Sequence, residues 1–144
     1  MGLFDFVAAA GKALGFGGSD EPEAEAIKKE VEALGLDVEG LDVTVEGDTV
    51  KVSGAAASQE MKEKVILAVG NVAGVAQVDE NLSAKTGGDA SSFHTVAKGD
   101  TLWAISSKHL GDGSKYMAIF EANRPMLSDP DKIYPGQVLR IPKA

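Results

Sequence analysis

Residues 48–82, DTVKVSGAAASQEMKEKVILAVGNVAGVAQVDENL, carry the pattern that decides the fold. Val50 and Val52 alternate with polar residues, which is the period of a half-buried β-strand. The period then lengthens, and the next apolar residues recur at helical spacing: Met61, Val65, Ala68 and Val69. This helix is predicted to begin after Ser58, a favoured N-cap residue, and to end at Gly70. A glycine-containing turn and a second short strand follow, so the stretch predicts strand–helix–strand.

The residues before this stretch extend the pattern into a complete module. A helix is predicted to begin at Pro22 and to end at Gly35. Apolar residues then alternate over 41–45, and Gly47-Asp48 is a typical two-residue hairpin turn. The order of elements predicted for residues 19–84 is therefore αββαβ.

An apolar stripe at helical spacing stands at the N-terminus: Leu3, Phe6, Val7, Ala10 and Leu14. It predicts an amphipathic helix within residues 1–18. Helices that lie on membranes usually carry several basic residues on the polar face, and here Lys12 is the only one. The pattern favours packing against the protein itself.

A second module is predicted after a polar, glycine-containing linker at residues 85–92. Within residues 93–144, a short strand leads to a helix capped by Thr101, then to a second helix capped by Ser114, and the chain closes with a strand at 138–141. This order is βααβ. The fold class predicted for the chain is α+β, built from two small modules.

Composition narrows the possible functions. The 144 residues contain no cysteine, which excludes disulfides and thiolate metal sites. The formal net charge is -8, and residues 1–88 hold 16 acidic against 7 basic side chains. Nucleic-acid binding is not expected, because little positive charge is available for the phosphate backbone. No run approaches the length of a membrane span, and the first residues lack the basic start of a secretory signal, so a cytoplasmic location is expected.

Catalysis is not expected from the titratable residues. His94 and His109 are the two histidines, and no cysteine can partner either of them. His109 falls on the apolar stripe of its helix, which favours a partly buried structural histidine. No carboxylate stands in a recognisable catalytic motif.

Two acidic pairs are candidate ligands for a divalent metal, Asp79-Glu80 and Asp129-Pro130-Asp131. Neither has the glycine and closing glutamate of a calcium loop. Solvated surface carboxylates are the favoured interpretation, with Asp129 beginning a turn.

Two domain families are similar to these modules. Residues 22–84 resemble a BON domain. The stretch 48–82 carries the hallmarks: a strand ending in Gly54, an amphipathic helix, and a Gly74-Val75 turn into a last strand. Residues 94–142, HTVAKGDTLWAISSKHLGDGSKYMAIFEANRPMLSDPDKIYPGQVLRIP, resemble a LysM domain more sharply. His94 departs mildly from that family, in which tyrosine is commoner.

The order BON then LysM, behind the N-terminal segment MGLFDFV, resembles a family of small bacterial potassium-binding BON–LysM proteins. The resemblance implies a cytoplasmic monomer that binds K⁺ and becomes ordered and compact when it does. It also implies that K⁺ lies among six backbone carbonyls, those of Val7, Ala10, Lys12, Gly70, Val72 and Val75. Gly11 is an alternative to Lys12, and the simpler alternative for Gly70 and Gly74 is a helix cap and a strand start.

The LysM resemblance raises a rival function, binding of N-acetylglucosamine polymers such as peptidoglycan. The resemblance places the groove for such a glycan among Asp100, Thr101, Leu102, Trp103, Asn123, Met126 and Ile133. Trp103 is suited to stack on a sugar, or equally to pack on the neighbouring helix.

Overall fold

The structure is a computed structural model that describes residues 2–6, 24–36, 38–72, 74–86, 92–124 and 126–142. The elements of the first module are β1 (Gly2–Asp5), α1 (Ala24–Ala33), β2 (Val38–Glu46), β3 (Thr49–Ser58), α2 (Gln59–Gly70) and β4 (Gln77–Thr86). From α1 onward they follow the predicted order αββαβ, which is confirmed.

The first module is built on a four-stranded sheet in the order β1-β4-β3-β2. β2 and β3 are an antiparallel hairpin around Gly47-Asp48, as predicted. β3 and β4 are parallel, with Val50 opposite Val78, and α2 is the crossover that connects them. The Ser58 hydroxyl caps α2 by accepting a hydrogen bond from the Met61 N–H at 3.1 Å.

The core of this module lies between the sheet and its two helices. Every second residue of β3 and β4 faces the helices, so a period-two strand pattern meets a helical stripe. The most buried side chains of this core are Ile27, Val31, Val50, Val52, Val65, Ile66, Val69, Val72, Val75 and Val78. The predicted apolar residues Val65 and Val69 are among them.

The predicted N-terminal helix is wrong where the structure describes it. Residues Gly2–Asp5 form β1, which pairs antiparallel with β4 from Gly2 opposite Glu80 to Asp5 opposite Gln77. The local spacing was ambiguous, because Phe4 and Phe6 also share a face in an extended chain, and both pack on the core. These residues form a strand because they pair with the edge of β4. The remainder of the predicted helix lies outside the described residues.

Two smaller expectations about strand ends also need correction. β3 does not end at Gly54 but continues to Ser58, because its parallel pairing with β4 continues to Thr86. Lys85 and Thr86 belong to β4, so they are not part of a linker; β5 begins at Ser92. Residues 87–91 of the predicted linker lie outside the described residues.

The second module contains β5 (Ser92–Thr95), α3 (Leu102–Leu110), a short 3₁₀ helix (Gly113–Lys115), α4 (Tyr116–Ala122) and β6 (Val138–Ile141). β5 and β6 form an antiparallel pair, and the predicted order βααβ is confirmed. The two helices pack on this pair around a separate core: Val96, Leu102, Ile105, Ile119, Phe120, Leu127, Leu139 and Ile141. The described strands of the two modules form two separate sheets, as expected for two domains.

This separate core leads to a stability prediction. Ile119→Ala should destabilise the second module by about 2–5 kcal/mol, because Ile119 is fully buried and its loss leaves a cavity. Met117→Ala on the same helix is the control and should change stability by less than about 0.5 kcal/mol, since that side chain is 43% exposed. Urea unfolding followed by Trp103 fluorescence measures both, because Trp103 is the chain's single tryptophan. Equal effects of the two substitutions would contradict this description of the core.

Candidate functional site

The turn between α2 and β4 is held by backbone hydrogen bonds of its described residues, 70–72 and 74–76. At its start, the Asn71 N–H donates to the Leu67 carbonyl at 2.9 Å and caps α2. At its end, the Ala76 N–H donates to the Asp48 carbonyl at 2.9 Å, which fastens the turn to the β2–β3 hairpin. Gly74 has a φ of 97°, a backbone conformation that L-amino acids with side chains rarely adopt. The turn is therefore closely constrained.

Three of the expected carbonyl ligands belong to this turn. The Val72 carbonyl accepts a hydrogen bond from the Val75 N–H at 3.1 Å, which leaves one lone pair of that oxygen. The carbonyls of Gly70 and Val75 accept no backbone hydrogen bond from the residues that the structure describes. The side chains of Val72 and Val75 are buried in the core, so these residues present only backbone oxygens as polar groups.

The N-terminal segment reaches this same turn. The Phe6 N–H donates to the Ala76 carbonyl at 2.8 Å, which continues the alignment of β1 beyond Asp5. The Phe6 ring lies directly over Gly70, since a Cβ at Gly70 would overlap the ring. Val7 therefore follows a residue that is fixed against the turn. The other three expected ligands, Val7, Ala10 and Lys12, lie outside the described residues.

Carboxylates do not form an alternative metal site within the described residues. No group of three or more histidine, aspartate or glutamate side chains there is arranged to hold a metal ion. Asp129 does begin a turn as predicted, since its Oδ1 accepts a hydrogen bond from the Asp131 N–H at 2.9 Å.

The prediction that Glu80 is a solvated surface carboxylate is wrong. Glu80 is only 2% exposed, because β4 lies between β1 and β3 and Glu80 is on the face that α2 covers. Its Oε1 is 3.5 Å from the Nζ of Lys62 on α2, so a cation offsets the buried charge.

The same end of α2 contacts the second module through Asn71, which is 6% exposed. The Asn71 Nδ2 donates to the Val138 carbonyl at 2.8 Å, and the Val138 N–H donates to Asn71 Oδ1 at 2.9 Å. The Nδ2 also lies 3.3 Å from the sulfur of Met126. A single side chain of the first module thus binds both polar groups of one residue in β6.

A buried ion pair makes a second contact between the modules. The Nε of Arg140 on β6 donates to Glu63 Oε1 on α2 at 2.7 Å, and both side chains are buried. Glu60, which is exposed, lies 3.8 Å from the same guanidinium. A second Glu63 oxygen accepts a hydrogen bond from Gln59 at 3.2 Å. Charge and hydrogen-bond partners therefore compensate the cost of burying this pair.

These interface residues are not among the residues predicted from the sequence. One signal was available for Arg140, a charged residue in the otherwise apolar strand Val138–Ile141, in which every residue is buried. A buried arginine requires an anionic partner. No local pattern distinguishes Asn71 or Glu63 from surface residues, since Asn71 follows the last residue of α2, where a polar cap is common, and Glu63 lies among other polar residues of α2.

The residues expected to line a glycan groove are only partly brought together. Thr101, Leu102 and Trp103 line a cleft of about 270 Å³. Three residues that were not predicted from the sequence complete the lining: Tyr116, Pro130 and Asp131. Trp103 is 57% exposed, and its ring lies 6.0 Å from that of Tyr116, centroid to centroid.

The remaining expected groove residues have other contacts. Asn123 is buried, and its amide bonds to the Ile119 carbonyl and to both backbone polar groups of Arg140. Met126 lies beside Asn71 at the module interface. Ile133 packs on the core of its own module. Asp100 accepts hydrogen bonds from the Ala97 N–H and from His94, which lower the pKa of its carboxyl group.

The two histidines form a chain with Asp100. His94 Nε2 lies 3.0 Å from Asp100 Oδ2, and His94 Nδ1 lies 3.1 Å from His109 Nε2. Partial desolvation and the neighbouring charges of His94 and Lys108 lower the pKa of His109. The prediction that His109 is partly buried is wrong, because its side chain is exposed beside His94.

The two modules match known domain families. The model of the BON domain family matches residues 19–86, and that of the LysM domain family matches residues 94–142. The chain is thus a two-module protein in which a BON domain precedes a LysM domain. No helix among the described residues is long and apolar enough to cross a membrane.

Similarity to one curated protein extends over the whole chain. The chain is 44% identical over 148 residues to the potassium binding protein Kbp of Escherichia coli O6:H1 (strain CFT073), and the alignment covers 99% of both chains. It is 37% identical over 59 residues to the uncharacterized protein YqbP of Bacillus subtilis (strain 168), which covers 35% of this chain and 27% of YqbP. The chain belongs to the Kbp family.

The buried ion pair between the modules leads to a second stability prediction. Arg140→Met should destabilise the protein by about 3–5 kcal/mol, because Glu63 would keep a buried charge without its partner. Arg124→Met is the matched control: its pair with Glu121 is exposed on both sides, so the loss should be below about 1 kcal/mol. Thermal and urea unfolding measure both variants. Equal losses would show that the Arg140 pair is not buried in solution.

Proposed function

We propose that this protein binds potassium through backbone carbonyl oxygens at the turn between α2 and β4. The observation that carries the proposal is the contact of the N-terminal segment with this turn, in a chain so similar to a potassium binding protein. Phe6 lies over Gly70, and its N–H donates to the Ala76 carbonyl. The residue that directly precedes the expected ligand segment 7–12 therefore contacts the turn that contains the expected ligands of 70–75.

Carbonyl oxygens suit potassium for a chemical reason. The ion is large and carries one charge, and neutral carbonyl oxygens can replace its hydration shell, as in potassium-channel filters. The end of a helix supplies such oxygens, because its last carbonyls have no partner within the helix. Gly70, Val72 and Val75 offer three oxygens around the end of α2, and the carbonyls of Val7, Ala10 and Lys12, or Gly11 in place of Lys12, are proposed to complete the set.

The proposed role is sensing rather than catalysis. K⁺ would fasten the N-terminal segment to the first module, and a state in which the modules are docked would be favoured if it binds K⁺ better. We propose that the protein is a cytoplasmic monomer that becomes ordered and compact in this way. The excess of acidic residues in residues 1–88 would attract any cation and leaves selectivity to the carbonyls.

A titration tests this proposal. In KCl, and not in NaCl of equal ionic strength, the midpoint of thermal unfolding should rise, with about 2.7 kcal/mol of stabilisation at a hundredfold excess over Kd. Gly74→Val should weaken K⁺ binding at least about tenfold, since a β-branched residue resists the φ of 97°. Calorimetry measures both affinities. A deletion of residues 1–12 would also remove β1, so the glycine substitution is the cleaner test.

The control for this titration is Asp79→Asn, which removes a carboxylate close to the turn and changes no proposed ligand. It should leave the affinity for K⁺ within about twofold. If Asp79→Asn abolishes binding and Gly74→Val preserves it, the ion binds elsewhere and the carbonyl site is wrong.

A second candidate function is glycan binding by the LysM domain. The cleft beside Thr101 and Trp103 favours it, because an exposed tryptophan next to Tyr116 offers an aromatic surface for a sugar ring. Asn123 is not available as a glycan contact through its side chain, since Ile119 and Arg140 already occupy its amide.

Sedimentation with insoluble peptidoglycan separates the two functions. If the protein is a potassium sensor, little of it should sediment, and Trp103→Ala should not change K⁺ affinity. Met117→Ala, which alters an exposed apolar residue outside the cleft, is the control for nonspecific adsorption. Strong sedimentation that Trp103→Ala abolishes, together with no response to K⁺, would favour the glycan function instead.

A further inference from the structure

The outer edge of β6 has polar groups that β5 cannot bind. In an antiparallel pair, the N–H and C=O of alternate residues face away from the partner strand. β6 pairs with β5 on one side only, and the bonds of Val138 and Arg140 go to the other side. These two residues are buried, so their backbone groups need partners within the protein.

Two asparagine side chains supply these partners in the same way. Asn123, from the second module itself, accepts from the Arg140 N–H at 2.7 Å and donates to the Arg140 carbonyl at 2.9 Å. Asn71 makes the equivalent pair of bonds with Val138 at 2.9 Å and 2.8 Å, but it belongs to the first module. The sheet edge of the LysM domain is therefore complete only when the BON domain is docked against it.

Asn71 stands between two of the proposed ion ligands. The Gly70 carbonyl belongs to the peptide before it, and the Val72 carbonyl follows one residue later. The backbone angles of Asn71, φ −83° and ψ 21°, together with those of Val72, therefore set the relative orientation of the two oxygens, and the Asn71 backbone also sets the direction of its side chain. An ion held by both carbonyls would fix the same backbone that aims the amide at Val138.

From this placement, and resting on the proposed potassium site, we infer that Asn71 is a positioning residue that couples the ion site to the docking of the LysM domain. Ion binding orders the turn and holds the amide in register with β6. By thermodynamic reciprocity, a docked LysM domain strengthens ion binding by the same factor. The Arg140–Glu63 pair, two turns earlier on α2, holds the modules together without touching the ion ligands.

Amide hydrogen exchange of the full chain tests this coupling at single residues. In wild type, saturating KCl in place of NaCl should slow exchange of the Val138 amide by about tenfold. The Arg140 amide is the internal control, because its acceptor Asn123 lies in its own domain, and its exchange should stay within about twofold. Equal responses of the two amides to K⁺, or no response at Val138 in a chain that binds K⁺, would overturn the inference.

The variant Asn71→Ala tests the same coupling by affinity. Alanine keeps the N–H that caps α2 and adopts a φ of −83° without strain, so the carbonyl ligands themselves are unchanged. Affinity for K⁺ should fall about fivefold or more, and the effect of K⁺ on Val138 exchange should vanish. Arg140→Met loosens docking too, but Val138 should still respond to K⁺ in that variant.

These experiments distinguish a failure of the proposed potassium site from a failure of the role proposed for Asn71. If wild type does not bind K⁺, the proposed function fails. If wild type binds and Asn71→Ala binds within twofold of it, with Val138 still responsive, the role of Asn71 is wrong and the ion site stands. Should Asn71→Ala not fold, Asn71→Leu keeps a side chain of similar size and no charge but removes both hydrogen bonds to Val138, and the same losses are expected.

Discussion

The end of α2 lies inside the protein, so the polar backbone groups there need hydrogen-bond partners. The contacts of both modules at this point depend on how those groups are paired. Helix ends release carbonyls that need partners, and burial makes unpaired ones costly. Here the Leu67 carbonyl accepts a hydrogen bond from the Asn71 N–H, and the Val72 carbonyl accepts one from the Val75 N–H. The Asp48 carbonyl accepts a hydrogen bond from the Ala76 N–H, just before β4 begins. The result is a tight turn in which backbone oxygens lie next to the buried side-chain amide of Asn71. The N-terminal segment also packs on this turn.

The contact between the modules includes directional polar bonds between buried groups. The amide of Asn71 meets one residue of β6, and the guanidinium of Arg140 meets Glu63 two turns earlier on α2. Buried polar groups of this kind contribute modest net stability but are costly when displaced. They therefore penalise every docking position except the one in which all of them are paired.

Charge has a different role in the two parts of the first module. The buried carboxylates Glu63 and Glu80 form ion pairs with Arg140 and Lys62, so their charges are compensated within the structure. The many surface carboxylates create a field that favours cations in general, without a choice between them. A preference for potassium over other cations would have to come from the geometry of neutral oxygen ligands, because negative charge alone attracts all cations.

Local patterns in the sequence determined the order αββαβ and βααβ, the Gly47-Asp48 hairpin and the Ser58 cap, because hydrophobic period and cap chemistry act over a few residues. Tertiary structure alone decided that Gly2–Asp5 is a strand, that Glu80 is buried, and that Asn71 and Arg140 join the modules. Each of these depends on a partner more than 65 residues away or on a neighbouring strand and helix. The free energy of strand pairing and of buried polar bonds depends on such distant partners, so a local sequence pattern does not predict them.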